Sequence, residues 1–488
     1  MRTASSAWAT SRSCLRISDL RVRNEIGVNI HDKAHCVIFG SIAARAAPGP
    51  ACPDRIDSSP GRTGIVLPDL CGDFDGRNLM EEKYKETFTS LHGEKAAYYG
   101  RWYHERPMVI TAARRDELRR LHQVLYKCIV YMAENYREYV PRYMPLSDRE
   151  MEILDRQSRV PFRAGTYRPD YLVSEKGDLL LCEITSRFFG HGIFMSYFAD
   201  CAAERFLQTI GTADGRGIDF PLYSTLNERL QYMLQITGDK KEIYVLKSAD
   251  KTGEIALYKP FYEAWGKRVE IFEAEDVESN IDRWKKGFVI SALNQKDLLS
   301  FSDGTTEAMI EAGMYNDFRT IFLIHDKRFM NLWFQDSFTD RCLTGEEAAF
   351  LRSHAISTYL YGDRDDIWQE ARRNKDGFIL KHHRLGKSEK VYAGPLTDKR
   401  TWEKLWENGD VQDMVLQPFI RQRKYPTVWE GTSFEDYICG MMLCADDRYF
   451  DSGMFRASSL PVTNVGDDRK VCPIHTDDPR IMQRADIL

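Results

Sequence analysis

The spacing of apolar and polar positions changes several times along the chain. Leu118, Leu121, Leu125, Cys128, Ile129 and Met132 recur at helical spacing with charges between them. That period predicts an amphipathic helix in a block running from Met80 to about Ser158. Pro141 and Pro145 break the pattern, and Asp148-Arg149-Glu150 opens another helix. The block reads as a cap or packing layer. From Tyr167 to Ser196 the pattern becomes that of short strands. A first strand carries Arg168 and Asp170. A turn follows at Glu175-Lys176-Gly177-Asp178, and then the apolar run Leu179-Leu180-Leu181-Cys182 ends in Glu183, Thr185 and Arg187. Two short strands around a Gly-containing loop predict a hairpin with Asp170 near Glu183.

Past this hairpin, Gly190-His191-Gly192 leads into an aromatic helix from Phe194 to Phe206. The glycines suit either a close backbone approach to a phosphate or a simple turn. Residues 224–300 alternate strand and helix. Glu242–Leu246, Val269–Phe272 and Phe288–Ile290 are the strands, with a helix from Ile255 to Trp265, which predicts a parallel, Rossmann-like unit. No G-x-G-x-x-G follows the first strand, so a dinucleotide site is not expected. Helices return over 305–372, where Phe322-Leu323-Ile324 reads as an apolar strand before His325-Asp326-Lys327. A second unit starts near Gly377 with the strand Phe378–Lys381, a polar loop, Lys390–Gly394, a helix around Trp402–Trp406, and the strand Met414–Gln417 before Pro418. Tyr437 to Ile474 suits antiparallel strands, and the polar tail after Pro473 reads as frayed.

Composition changes the picture mainly at the N-terminus. All 24 tyrosines lie at Tyr84 or later, and residues 1–79 hold one lysine, Lys33, among many arginines. This segment reads as a disordered extension, or as sequence upstream of a natural start at Met80. Elsewhere the values are those of a soluble globular protein, with 43% hydrophobic and 29% charged residues. A net charge of -5 over 488 residues gives no argument for nucleic acid or membrane binding. Eleven scattered cysteines without C-x-x-C spacing suit reduced thiols in the cytoplasm.

Four features carry candidate chemistry. Asp170 and Glu183 are paired carboxylates at the ends of apolar strands, costly to bury without a cation. A hard ion such as Mg2+ takes carboxylate oxygens together with substrate phosphates. On residue types alone, a surface hairpin with solvated charges is the simpler reading. Lys381 ends an apolar strand ahead of the flexible Gly386-Lys387-Ser388, where lysines and backbone N–H groups suit phosphates. The G-x-x-x-x-G-K-[ST] pattern is absent. Gln417 before Pro418 suits a hinge whose backbone meets an adenine edge, and equally a structural strand end. Arg456 lies in an apolar strand, where an anionic partner would justify burial.

Taken together and in this order, the four features resemble the circularly permuted ATP-grasp ligases, the group of the synthetase domain of glutathionylspermidine synthase. In ordinary ATP-grasp enzymes the lysines and hinge precede the carboxylates; here Arg168-x-Asp170 and Glu183-x-Thr185 come first. The family's R-x-D…E-x-N pattern is matched at Arg168, Asp170 and Glu183, and Thr185 replaces the Asn at the second metal position. Its K…G-R-E-G loop is loosely echoed by Lys381 and Gly386-Lys387-Ser388-Glu389. The resemblance spans Phe162 to Ile474.

It implies a mixed α/β, permuted ATP-grasp fold with a Rossmann-like unit and a helical N-terminal cap. The expected parts are the cap at 80–160, a metal-binding part at 161–223, the Rossmann-like unit at 224–304, nucleotide-binding subdomains at 305–474 and a tail at 475–488. It further implies ATP and Mg2+, with Asp170, Glu183 and Thr185 at the metal. Lys327, Lys381, Gly386, Lys387 and Gln417 would lie at the nucleotide, and Arg168 and Arg456 at the reacting groups. The implied reaction joins a carboxylate and an amine through an acyl phosphate, on an amino acid or small peptide. Alternatives are acyl transfer to a carrier-protein thiol, a small-molecule kinase, and a degenerate nucleotide-binding protein.

Overall fold

The computed structural model describes residues 102–213, 225–250, 254–386, 388–463 and 469–488. The readings for residues 1–79, for the 80–101 part of the helical cap and for Lys387 lie outside the described residues.

The chain is a mixed α/β protein with several sheets. Its main sheet has seven strands. Arg469–Val471, Phe455–Ser458, Thr432–Ala445, Thr166–Val173 and Leu179–Thr185 are neighbours in that order, and Thr432–Ala445 also pairs with Lys424–Trp429 and Arg448–Ser452. The pairings are antiparallel. Thr166–Val173 is buried along nearly its whole length, so both faces of the sheet are covered and strict alternation is lost.

One cover is the 32-residue helix Ala112–Tyr143. Thr111 caps it by accepting from the Arg114 backbone N–H at 3.3 Å. Leu118, Leu121, Leu125, Cys128, Ile129 and Met132 are all buried along it, as their spacing predicts. The expected break at Pro141 does not occur: the helix departs from helical geometry at Asn135, runs through Pro141 and ends before Pro145. A proline in the last turn removes few internal bonds, whereas Pro145 disfavours helix in the residue ahead of it. Ser147 and Glu150 then form a capping box for Asp148–Gln157.

Glu242–Lys247 lies between Arg268–Glu273 and Phe288–Ala292, parallel to both, as the strand–helix alternation predicts. A separate four-stranded antiparallel sheet orders Tyr359–Leu360, Met414–Pro418, Phe378–His382 and Val391–Ala393.

Two local expectations change. Thr320–Ile324 is a buried π-helical turn, not a strand. A short run that is apolar on every side has no period by which to separate helix from strand. The C-terminal residues are tied down. Pro473–His475 and Asp486–Ile487 flank Met108–Ile110 in a parallel three-stranded sheet, and Ile481 and Leu488 are buried. Pairing across more than 360 positions leaves no local signal in the polar tail.

Candidate functional site

The hairpin Thr166–Val173 and Leu179–Thr185 places Asp170 directly opposite Glu183 and Arg168 opposite Thr185. Facing residues on one side of an antiparallel pair bring their Cβ atoms to about 5 Å. The register shifts by a bulge just after Asp170, and bulges of this kind re-aim side chains. Arg168 holds Asp170 by two bonds, from Nε at 2.7 Å and from an Nη at 2.8 Å.

The second wall is the four-stranded sheet. Ile379 is paired with Gln417, and Lys381 with Val415. Gln417 is fully buried; its Nε2 donates to Thr358 Oγ1 at 2.8 Å, while Oε1 has no partner among the described residues. Lys381 reaches across to the other wall and donates to the Cys182 carbonyl at 3.3 Å. Lys327 follows the π-helical turn and donates to the Leu385 carbonyl at 2.6 Å. Its Nζ lies 3.6 Å from Glu183 Oε2.

Between the walls lies a cleft of about 780 Å³, counting its open mouth. Asp170, Glu183, Lys381, Gly386, Gln417 and Arg456 line it. Six of the residues picked from sequence, separated by up to 286 positions, thus meet in one cavity. Arg168 stands behind Asp170, and Lys327 stands beside Glu183. Thr185 lies on the same strand face as Glu183 but outside the cleft lining.

The two carboxylates differ electrostatically. Burial raises Asp170 above the ordinary carboxylate value, against the pull of Arg168. For Glu183 burial pushes the same way, but Lys327, Lys381, Arg168 and Arg456 outweigh it and hold the carboxyl below its ordinary value. Glu183 keeps about a quarter of its side chain open to the cleft, whereas Asp170 is almost fully enclosed. Burial also lowers the Lys327 ammonium despite Glu183.

The Gly190-His191-Gly192 turn does form, with positive φ at all three residues. Its donors are already used. Glu254 accepts from the backbone N–H groups of Gly192, Phe194 and Met195 at 2.7, 2.6 and 3.1 Å. His191 is buried and accepts from the Phe188 N–H at 2.9 Å. The turn therefore has a structural occupant in place of a phosphate.

Sequence reasoning missed three contributors. Cys182 and Cys439 line the cleft, one on each of two strands flanking the Asp170 strand. Asp326 accepts from His383 Nδ1 at 2.9 Å and is gripped by Arg328, joining the turn before Lys327 to the loop after Lys381. Its carboxyl is held far below the usual range because Arg328 and His383 overcome burial. The clue was His325-Asp326-Lys327, a polar run directly after the four buried apolar positions Ile321–Ile324.

The chain shares its fold with a synthetase-like protein. A glutathione synthetase-like effector from Globodera pallida, in its apo form, superposes with a TM-score of 0.53 at 11% identity over 85% of this chain and 100% of that one. A putative gamma-glutamylcysteine synthetase from Methylobacillus flagellatus reaches a TM-score of 0.31 at 11% identity, over 70% of this chain and 83% of the other. The family model of the AnkG N-terminal domain matches residues 121–323, which include the carboxylate hairpin and the parallel sheet but not the Lys381 strand. No curated protein matches the sequence. Among the described residues no helix is long and apolar enough to cross a membrane.

Proposed function

We propose that this protein is an ATP- and Mg2+-dependent carboxylate–amine ligase of the circularly permuted ATP-grasp type. The observation that carries the reading is the convergence of Asp170, Glu183, Lys381, Gln417 and Arg456 on one cleft between two sheets. The carboxylate hairpin precedes the lysine strand in the chain, which is the permuted order. The shared fold with a glutathione synthetase-like effector supports a ligase, and the name of that relative fits an amino-acid or peptide substrate.

In this mechanism the adenine lies at the Gln417–Pro418 hinge. Lys381 and Lys327 neutralise the phosphates, and Arg456 steadies the transferred phosphoryl group. A carboxylate substrate attacks the γ-phosphorus and ADP leaves. The amine then attacks the acyl phosphate, releasing inorganic phosphate and leaving the amide. Mg2+, when bound, supplies neutralisation of charge on the β- and γ-phosphates. Two carboxylates with the remaining positions left to phosphate and water fit its coordination habits. Glu183 is ionised and cleft-facing, and suits that role directly. Asp170 would share its oxygens with Arg168, whose two-point grip fixes the carboxylate's orientation.

That grip also favours a second reading, a nucleotide-binding protein without ligase activity. With both Asp170 oxygens engaged and threonine at 185, the metal position is weaker than the family pattern implies. An ADP-release screen of paired carboxylic acids and amines, read by product mass and by hydroxylamine trapping, separates the two. A ligase releases ADP with a mass-matched amide and yields a hydroxamate. ATP binding without ADP release in any mixture would leave the binding reading and sink the ligase.

A further inference from the structure

Cys128 and Cys342 come from segments 214 positions apart, and their sulfurs meet at 3.9 Å. Cys128 lies on the buried face of the long helix Ala112–Tyr143, and Cys342 is the last residue of the helix Asp336–Cys342. Both thiols are free. The two helices are held together around them. The Phe338 ring meets Tyr131 edge-on at 5.4 Å and Tyr139 at 5.1 Å, and the Tyr139 hydroxyl donates to the Ser337 carbonyl at 3.1 Å. A disulfide bond is about 2.05 Å long, so the sulfurs have to close by about 1.9 Å, a shift of the size that side-chain rotation supplies. Cys342 is partly open to solvent, whereas Cys128 is enclosed. The contact with Cys128 holds the Cys342 thiol below its ordinary value, and the contact with Cys342, together with burial, raises Cys128. A second sulfur pair gives the contrast. Cys182 and Cys439 also touch, but the strand of Asp170 lies between theirs. Neighbouring strands are about 4.8 Å apart, so alternate strands stand about 9.6 Å apart, beyond the roughly 7 Å between Cα atoms that a disulfide spans.

We propose that Cys342 and Cys128 form a reversible dithiol–disulfide pair, with Cys342 as the attacking thiol and Cys128 as the resolving one, oxidised by a low-molecular-weight disulfide such as oxidised glutathione. The Cys342 thiol loses its proton and its sulfur attacks one sulfur of the oxidant. A mixed disulfide forms, and one glutathione leaves as a thiolate that takes up that proton. Once capped, Cys342 no longer holds the neighbouring thiol protonated. Cys128 then gives up its proton and attacks the Cys342 sulfur, and the second glutathione leaves and takes the proton. Two protein thiols are oxidised to a disulfide, and one glutathione disulfide is reduced to two glutathiones. The new bond closes a loop of 214 positions and ties the segment that follows Lys327 to the long helix. The pair is independent of the ligase reading.

The test uses the full chain, reduced and then freed of reductant, with oxidised glutathione as the oxidant. The expected result is the loss of two thiols per chain with no glutathione retained, and a peptide joining Cys128 to Cys342 in the digest. The melting midpoint should rise by about 3 °C or more, and dithiothreitol should reverse all three changes. Cys342→Ser should give neither the cross-link nor the shift. Cys128→Ser should strand one glutathione on Cys342, because nothing then resolves the mixed disulfide. The wild-type readouts do not depend on either variant folding. Survival of both thiols at saturating oxidant overturns the proposal. So does a glutathione adduct that persists at Cys342 in the wild-type chain, which would mean that Cys128 does not resolve it. A cross-linked chain that melts at or below the reduced one overturns the staple.

Discussion

The two sheets that face each other across the cleft bring different groups to it and are anchored differently; both carboxylates, with Arg456, come from the larger one. The seven-stranded sheet brings Asp170 and Glu183. Its buried residues Tyr171, Leu181 and Ile438 belong to a large cluster shared with Leu125 and Ile129 of the long helix. The four-stranded sheet brings Lys381 and Gln417. It packs on a small cluster of its own, chiefly Trp368, Leu380, Trp402, Met414 and Leu416. Lys381 links the two sheets directly by donating to the Cys182 carbonyl, and the Leu181 N–H ties the larger sheet to the His354 carbonyl at 2.7 Å, ahead of the smaller one. One wall is thus continuous with the main core, and the other packs chiefly on its own small cluster and joins the main core through Leu360 and Val415. Such a unit is expected to open at lower free energy than the core it leans on.

The strongest way to break this comparison is Trp402→Ala. Trp402 is fully buried and donates to the Ala371 carbonyl at 3.2 Å. Its truncation should cost about 3–5 kcal/mol within the small sheet. Hydrogen exchange should then accelerate at Leu380 and Leu416 while Tyr171 and Ile438 stay protected. Simultaneous loss of protection in both sheets would show that they form one cooperative unit. Glu183→Gln leaves packing nearly intact but removes the cleft-facing charge. It should lower ADP release about 100-fold or more and blunt its Mg2+ dependence, whereas an unchanged Mg2+ titration would be incompatible with the metal assignment.

Acid sensitivity sharpens the contrast from the large-sheet side. His122, on the long helix, meets the Tyr167 hydroxyl at 2.9 Å, and burial lowers its pKa to about 4. A histidine held neutral in the fold binds fewer protons than it does unfolded. Its contribution is therefore complete above about pH 6.5 and is lost as pH falls towards 4, by at most about 3 kcal/mol. His122→Gln should flatten the stability profile in that window, and chemical denaturation at stepped pH reads it out. On the small-sheet side, Lys381→Ala should weaken ATP binding about 10-fold and leave the melting midpoint within a degree or two. The smallest effect is expected from Thr185→Asn, which installs the asparagine of the permuted ATP-grasp pattern outside the cleft lining. Any change in Mg2+ affinity should stay within a few-fold, and a large gain would mean that Thr185 belongs to the metal shell.

The legibility of the molecule in its sequence follows the same division. The carboxylate hairpin, the parallel unit and the lysine strand each rest on local period and turn chemistry, so their ranges could be read directly. The fate of Thr320–Ile324 could not, because a uniformly buried run has no polar side to set its period. The Gly190-His191-Gly192 turn was legible as a turn, but its occupant, Glu254, arrives from 62 residues away. Asp326 was visible only as one charge among three. Its hub role depends on His383 and Arg328 converging on it in space.

By itself the sequence determined the alternation of elements, the chemical types at the candidate site and the order in which they occur. Only the tertiary structure decided that these groups share a cleft, because antiparallel pairing and long-range packing are set by contacts between distant segments and not by any local period. It also decided how the two carboxylates differ. Asp170 and Glu183 are equivalent as letters, yet burial outweighs Arg168 at one while two lysines and two arginines outweigh burial at the other, which moves them in opposite directions.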